Sequence, residues 1–169
     1  MKAVLAAVAL LSAAVATGLV GQGDDEQSRK TLTGLAGVYV AVEHLPDEAQ
    51  RDALWEDQIR TDVELKLRQA GITVLTLQQS VGTAAGPILY INVQVTKNSA
   101  RIYAFSVDVE LRQRVTLIQN PSMRVLAPTW SAAGVIGTVG YQKLGSLRED
   151  VRDLTDQFIN AYLAANPKR

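Results

Sequence analysis

The sequence predicts an α/β fold of the α+β kind: a two-layer sandwich with two helices on one face of a mixed, mainly antiparallel sheet of four to five strands. Apolar and polar residues alternate through residues 88–95 and 103–117, as in strands that bury one face. Two other segments repeat apolar residues every three or four positions, as in amphipathic helices. The resulting order is strand, helix, strand, strand, strand, strand, helix.

The first half of the chain predicts a strand, a helix and a second strand. The Val-rich segment 35–45 is bounded by Gly and Pro, which indicates the first strand. A helical pattern begins at Asp52, and Gly71 follows it as a left-handed cap. The β-branched run 72–77 predicts the second strand, and residues 78–87 a loop. The apolar stripe of the helix consists of Trp55, Ile59, Val63, Leu67 and Ala70.

The second half predicts a hairpin, a return strand and a closing helix. The two alternating segments form the hairpin, with apolar residues under the helices and polar residues on the other face. Residues 123–135 predict the return strand, which Pro128 interrupts or places at an edge because proline cannot donate to a ladder. Ser146 and Glu149 have the spacing of a capping box, and Pro167 stops the helix. The helical stripe consists of Leu147, Val151, Leu154, Phe158, Tyr162 and Ala165.

The amino terminus has the layout of a secretory signal peptide over residues 1–16. One lysine precedes an apolar run, and residues 14–16 (Ala-Val-Ala) match the small-x-small pattern that signal peptidase reads. We expect cleavage after this triplet, a flexible tether over 17–33 and a single domain over 34–169. The protein is then periplasmic or secreted. The alternative is a membrane anchor over residues 3–20, since the uncleaved run approaches the length that spans a bilayer.

Composition excludes several classes of function. Lys and Arg total 17 and Asp and Glu total 17, so no bulk charge attracts nucleic acid or an anionic membrane. The chain has no cysteine, which excludes disulfides, a lipoprotein anchor, thiolate metal sites and cysteine nucleophiles. We expect no cofactor and no metal.

His44 is the only histidine. No Gly-x-Ser-x-Gly elbow accompanies it, so we expect a strand-end residue and not a catalytic base. Asp108 and Glu110 lie two apart on one strand, with Cα atoms roughly 6.5 to 7 Å apart, and paired carboxylates at such a separation can hydrolyse glycosides. Arg112 and Arg114 continue the same row, which favours a surface charge ladder over an active site.

Two further motifs resemble ligand sites only weakly. The glycines 134, 137 and 140 match no phosphate-binding template, and we expect a flexible connector or a turn-rich edge of the sheet. The acidic residues 24–26 lie in the expected tether and lack the fixed geometry that a divalent cation needs.

Three sequence segments carry a resemblance to known proteins. They are LRQAGITVL (67–75), TWS (129–131) and FINAYLAANP (158–167). With the order of elements, they resemble small exported bacterial proteins of uncharacterised role, over roughly residues 34–167. More loosely, the order is similar to periplasmic accessory domains such as the amino-terminal domain of the Tol-system propeller protein and the lipopolysaccharide-assembly lipoprotein. That resemblance implies an envelope interaction module, although many such proteins are lipid-anchored through a cysteine that this chain lacks.

We therefore expect an exported, non-enzymatic accessory or binding module. Its partner is a protein of the cell envelope, a second copy of this chain included, because the charges on the polar face are mixed. The alternatives are an envelope-glycan hydrolase that uses Asp108 and Glu110, and a structural protein that self-assembles through an exposed edge strand such as the one with Pro128. The expected contact surface consists of Tyr90, Asn92, Gln94, Asp108, Glu110, Arg112, Arg114, Trp130 and Tyr141.

Overall fold

One five-stranded sheet is the centre of the structure, a computed structural model that describes residues 23–167. Its strands are β1 (Tyr39–Val42), β2 (Ile88–Lys97), β3 (Ile102–Leu117), β4 (Asn120–Ser131) and β5 (Val135–Gly140). β1 pairs with β2 in parallel, and β2 pairs with one side of β3 antiparallel. β4 and β5 share the other side of β3, both antiparallel. The predicted mixed, mainly antiparallel sheet is confirmed.

Two long helices pack against one face of this sheet, as the apolar stripes predict. They are α3 (Glu56–Gln69) and α5 (Leu147–Ala165), and three shorter helices are α1 (Glu26–Lys30), α2 (Asp47–Arg51) and α4 (Leu77–Gly82). The ion pairs Lys66–Asp156 and Arg148–Asp62, at 2.5 and 2.8 Å, join the two long helices. No helix within residues 23–167 is both long enough and apolar enough to span a bilayer.

Alternation along β2 and β3 sets the two faces of the sheet. Leu89 and Ile91 of β2 and Val107, Val109 and Leu111 of β3 are fully buried beneath the helices. Each such side chain contributes about 1.5–3 kcal/mol through burial of its apolar surface. The intervening polar residues lie on the opposite face, which confirms the predicted pattern.

A β-bulge in β4 reverses the expected alternation near its end. Leu111 lies opposite Trp130 whereas Arg112 lies opposite Pro128, so Thr129 is an extra residue. The N–H of Arg114 donates to the carbonyl of Ala85, 2.7 Å away on the β2 side. The even-numbered residues of β3 therefore direct their backbone N–H and C=O groups towards β2 and away from β4. Pro128 lies opposite one of these residues, Arg112, so its own backbone nitrogen points to the outer edge of the sheet. The expected edge position of Pro128 is confirmed.

The expected tether is ordered in its described part, residues 23–33. Asp25 caps α1 by accepting a hydrogen bond from the Ser28 N–H at 2.7 Å, and Leu32 is fully buried. The expectation of a flexible tether over 17–33 is therefore wrong for these residues, because an apolar side chain and a helix cap fix them to the domain. The expected signal peptide (1–16) and the alternative anchor (3–20) lie outside the described residues.

The first long helix begins later than predicted. Ala53 lies between α2 and α3 and has a φ of 71°, a left-handed conformation that interrupts the helical backbone. Trp55 has an extended backbone and immediately precedes α3. Trp55 is consequently 41% exposed and is not part of the core, contrary to the expected stripe. Gly71 has a φ of 78°, in agreement with its predicted role as a left-handed cap.

Residues 72–82 differ from the prediction. The expected strand 72–77 is reduced to one parallel bridge between Val74 and Val38. The expected loop contains α4, because Thr76 and Gln79 form a reciprocal capping box that starts a helix.

The glycine-rich segment forms β5 and then a 3-10 turn, Tyr141–Ser146, that continues directly into α5. It is an ordered edge of the sheet. Ser146 has helical backbone angles there, and its side chain makes no capping hydrogen bond. The predicted capping box of Ser146 and Glu149 is therefore wrong, although the helix itself is confirmed.

Candidate functional site

The face of the sheet opposite the helices carries most of the residues expected to contact a partner. We call it the open face; it is formed by the even-numbered residues of β2 and β3. The register places six of its polar residues in cross-strand pairs, Tyr90–Glu110, Asn92–Asp108 and Gln94–Ser106. Gln94 is exposed and the other five are partly exposed. The two long helices, α3 and α5, pack against the other face.

Tyr90, Arg112 and Glu110 form one cluster on the open face. The Arg112 guanidinium carbon lies 3.5 Å from the centre of the Tyr90 ring, and its Nε lies 3.0 Å from a Glu110 carboxylate oxygen. The Arg112 and Glu110 side chains remain 32% and 27% exposed. A stacked and ion-paired arginine is held in one orientation but stays accessible, which suits recognition of a polar partner.

Asp108 lies against the segment that follows β4. A Cβ atom added to Gly134 would be 2.5 Å from an Asp108 carboxylate oxygen, so the Asp108 side chain would have to move to admit a larger residue there. Burial raises the pKa of the Asp108 carboxyl, and the charge of Glu110 raises it further. Asp108 is thus partly exposed, with the Gly134 backbone close to one side of its carboxylate.

Arg114 has a structural role within the expected contact surface. Its two terminal nitrogens donate to the carbonyl oxygens of Thr83, at 3.0 Å, and Val81, at 2.8 Å. These contacts attach the end of α4 to β3. The guanidinium donors that face these carbonyls are not free for a partner.

The expected contribution of Trp130 to the contact surface is wrong. Trp130 is fully buried, its Nε1 donates to the Asp24 carboxylate at 2.8 Å, and its ring packs edge-on against Phe158 at 5.4 Å. The extra residue Thr129 places Trp130 under the helices. Tyr141 is partly exposed in the 3-10 turn, where the Arg101 guanidinium carbon lies 3.6 Å from its ring centre. The two aromatic residues therefore do not form one surface.

Two shallow cavities lie on the open face and share Gln94, Val95 and Thr96. The larger has a volume of about 480 Å³ and includes Tyr90 and Asn92 in its wall. The smaller has about 200 Å³ and extends to Ser106. Neither cavity is lined by Asp108 or Glu110. The accessible concave surface is therefore centred on Gln94 and not on the carboxylate pair.

His44 lies at the rim of the larger cavity, beside Glu43. Its Nδ1 is 2.9 Å from a Glu56 carboxylate oxygen, and the same oxygen accepts a hydrogen bond from the Leu45 N–H at 2.8 Å. The His44 side chain is 75% exposed. Its contacts are those of a surface residue at a strand end.

The remaining candidate motifs have structural explanations. Asp24 pairs with Arg29 and accepts from Trp130, and Asp25 caps α1. The hydrogen bond from Arg29 holds the pKa of the Asp24 carboxyl below its ordinary value. Across residues 23–167, no three His, Cys, Asp or Glu side chains are grouped so that they could hold a metal ion. Gly137 accommodates the ring of Phe105, which would be 2.9 Å from a Cβ atom there.

Comparison with known protein families finds no family model that matches the chain, and comparison with curated proteins finds no similar sequence. The open face must therefore be interpreted from its own chemistry.

Sequence reasoning missed one accessible residue beside the smaller cavity. Ile136 of β5 lies opposite Ser106 and is 86% exposed. Its position on the open face follows only from the pairing of β5 with β3. The signal that could have found it is the alternation of residues 135–139, which the repeated glycines obscure.

Proposed function

We propose that this protein is an exported accessory module that binds a protein of the cell envelope on its open face. The observation that carries the proposal is the accessible polar surface around Gln94, where two cavities meet beside the Tyr90–Arg112–Glu110 cluster. The amino-terminal signal pattern supports export, and the mixed charges of the open face favour a protein over an anionic polymer. The resemblance to periplasmic accessory domains points the same way, although a shared fold does not establish function.

A glycan hydrolase acting through Asp108 and Glu110 remains the second candidate. The raised pKa of Asp108 fits a general acid. However, Asp108 lies against Gly134, Glu110 is paired with Arg112, and neither carboxylate lines either of the two cavities described above. A sugar ring needs space between its two carboxylates. We therefore favour binding.

Photo-crosslinking in the exporting cell tests the proposal. A photoreactive residue at Gln94 is expected to give one discrete adduct, whose partner mass spectrometry would identify. The matched probe at Asp153, exposed on α5, is expected to give none. Absence of an adduct at Gln94, or the same adducts at both positions, would contradict binding at the open face.

A double substitution tests the cluster itself. Glu110→Ala with Arg112→Ala removes both charges, so neither is left unpaired, and stability should change by less than about 1 kcal/mol. The yield of the Gln94 adduct should fall severalfold. The control is Glu149→Ala with Arg152→Ala, a comparable exposed pair on α5 with 3.7 Å between its charged atoms. An unchanged adduct yield in the first variant would remove the cluster from the site.

A further inference from the structure

Two strands form exposed edges on the same side of β3. The Ala132 N–H donates to the Val109 carbonyl at 2.9 Å, so odd-numbered β3 residues direct their backbone groups towards β4 and β5. Residues opposite even-numbered β3 residues therefore direct their own N–H and C=O groups outward. Among the described residues, no element pairs with these outward groups. They belong to Arg124 and Leu126 on β4 and to Ile136 and Thr138 on β5.

The β4 edge carries features that oppose pairing with another chain. Pro121, near the start of β4, and Pro128, near its end, have no backbone N–H to donate. Between them Arg124 adds a charge, and Thr129 forms the bulge. Proline, charge and bulges are the features that protect natural edge strands. The edge that the sequence suggested for self-assembly is therefore the protected one.

The β5 edge has none of these features. Residues 131–142 contain no proline and no charged residue. Ile136 is 86% exposed on the open face. On the helix side, Val135, Val139 and Phe105 are only partly buried. Apolar side chains at this edge are thus incompletely covered on both faces of the sheet.

We propose that β5 pairs antiparallel with β5 of a second copy of this chain. With Gly137 on the two-fold axis, Ile136 lies opposite Thr138 of the second copy, and Val135 lies opposite Val139. This register joins the outward backbone groups and covers the partly buried valines. An uncharged strand meets its own copy without like-charge repulsion, which the Arg124 side chain would introduce at β4.

The pairing would give a weak dimer with one continuous open face. A six-residue strand is only about 20 Å long, so the interface lies at the small end of the range for specific complexes. The two-fold axis of an antiparallel pair is perpendicular to the sheet, and it keeps both open faces on the same side. This dimer does not depend on the proposed envelope partner.

Sedimentation velocity of the protein as isolated, between about 1 μM and 1 mM, tests the proposal. The unaltered chain should form a concentration-dependent dimer. Ile136→Lys places a charge at the edge and should weaken the dimer about tenfold or more. Thr138→Pro removes an outward N–H without breaking a hydrogen bond to β3, and it should also weaken the dimer about tenfold or more. The matched control Leu126→Lys, at the protected β4 edge, should leave the dimer unchanged.

Amide hydrogen exchange of the unaltered chain gives a second readout that is independent of variant folding. The Ile136 and Thr138 amides should exchange more slowly as concentration rises, whereas the Arg124 and Leu126 amides should not change. A monomer throughout the range, or a dimer indifferent to both β5 substitutions, would overturn the proposal. These results leave the Gln94 crosslink unaffected, unless its adduct has twice the chain mass, which would identify the second copy as the partner.

Discussion

Two clusters in this protein contain the same three chemical groups, a carboxylate, a cation and a tyrosine, but they differ in burial. In the first, Asp52 accepts hydrogen bonds from Lys97, at 2.5 Å, and from the Tyr103 hydroxyl, at 2.8 Å. The Tyr103 residue is fully buried. The second is the Tyr90–Arg112–Glu110 cluster of the open face, where all three residues are partly exposed.

The comparison teaches that position in the sheet, and not composition, separates a structural cluster from a candidate binding cluster. Tyr103 is an odd-numbered β3 residue under the helices, so its ring belongs to the core and its hydroxyl needs a hydrogen-bond partner. Tyr90 is on the open face, so its ring supports Arg112 at the surface. The first cluster attaches the segment after α2 to the hairpin of β2 and β3, whereas the second presents a positioned arginine to solvent.

The largest expected effect comes from removing each tyrosine ring. Tyr103→Ala leaves a cavity in the core and should lower the free energy of unfolding by about 3–5 kcal/mol. Tyr90→Ala loses one cation–π contact at a partly exposed site and should cost less than about 1 kcal/mol. Urea denaturation of the two variants measures the difference. Equal losses would show that both clusters are structural.

The acidic residues should differ in their response to pH. The hydrogen bond from Lys97, and then that from Tyr103, lowers the pKa of the Asp52 carboxyl below its ordinary 3.8. A lowered folded-state pKa stabilises the fold above the ordinary pKa, and this stabilisation is lost as pH falls through the folded-state pKa. Asp52→Asn should therefore destabilise at neutral pH, with the difference from the unaltered chain shrinking in acid.

Glu110→Gln is the matched control for that experiment. Its ion pair with Arg112 is partly exposed, and such pairs contribute little to stability. Thermal denaturation at pH 7 should give nearly the same melting temperature for this variant and the unaltered chain. A loss at pH 7 as large as that of Asp52→Asn would remove the distinction between the clusters.

The difference between these clusters was largely predictable from sequence, because alternation in β2 and β3 is regular. Alternate residues of a strand lie on the same face, and the register of β2 and β3 brings their even-numbered residues together. The polar residues placed in this way are Tyr90, Asn92, Gln94, Asp108 and Glu110. A period of two assigns faces wherever one side of a sheet is buried. Helix stripes were equally informative for α3 and α5 in their interiors.

The failures of prediction have local causes. One extra residue in β4, Thr129, shifts the alternation of the strand so that the Trp130 side chain lies in the core. A positive φ at Ala53 moved the start of α3 past Trp55. Side-chain caps start two short helices, one within residues 23–33 and one over 77–82. The composition of these segments does not distinguish a short capped helix from a loop. Bulges, single strained residues and caps each involve one or two positions, too few to leave a periodic signal.

The smallest expected effect concerns Asp108, next to the open cluster. Burial and the Glu110 charge raise its pKa, so the carboxylate form costs stability above that pKa and nothing below the ordinary value. Asp108→Asn should therefore raise the melting temperature slightly at pH 7, and the gain should vanish in acid. Carboxyl NMR titration should place the Asp108 pKa above 3.8, and Glu110→Gln should move it down. If Glu110→Gln left the Asp108 pKa unchanged, burial alone would account for the raised pKa. Asp108 would then be electrostatically independent of the Tyr90–Arg112–Glu110 cluster.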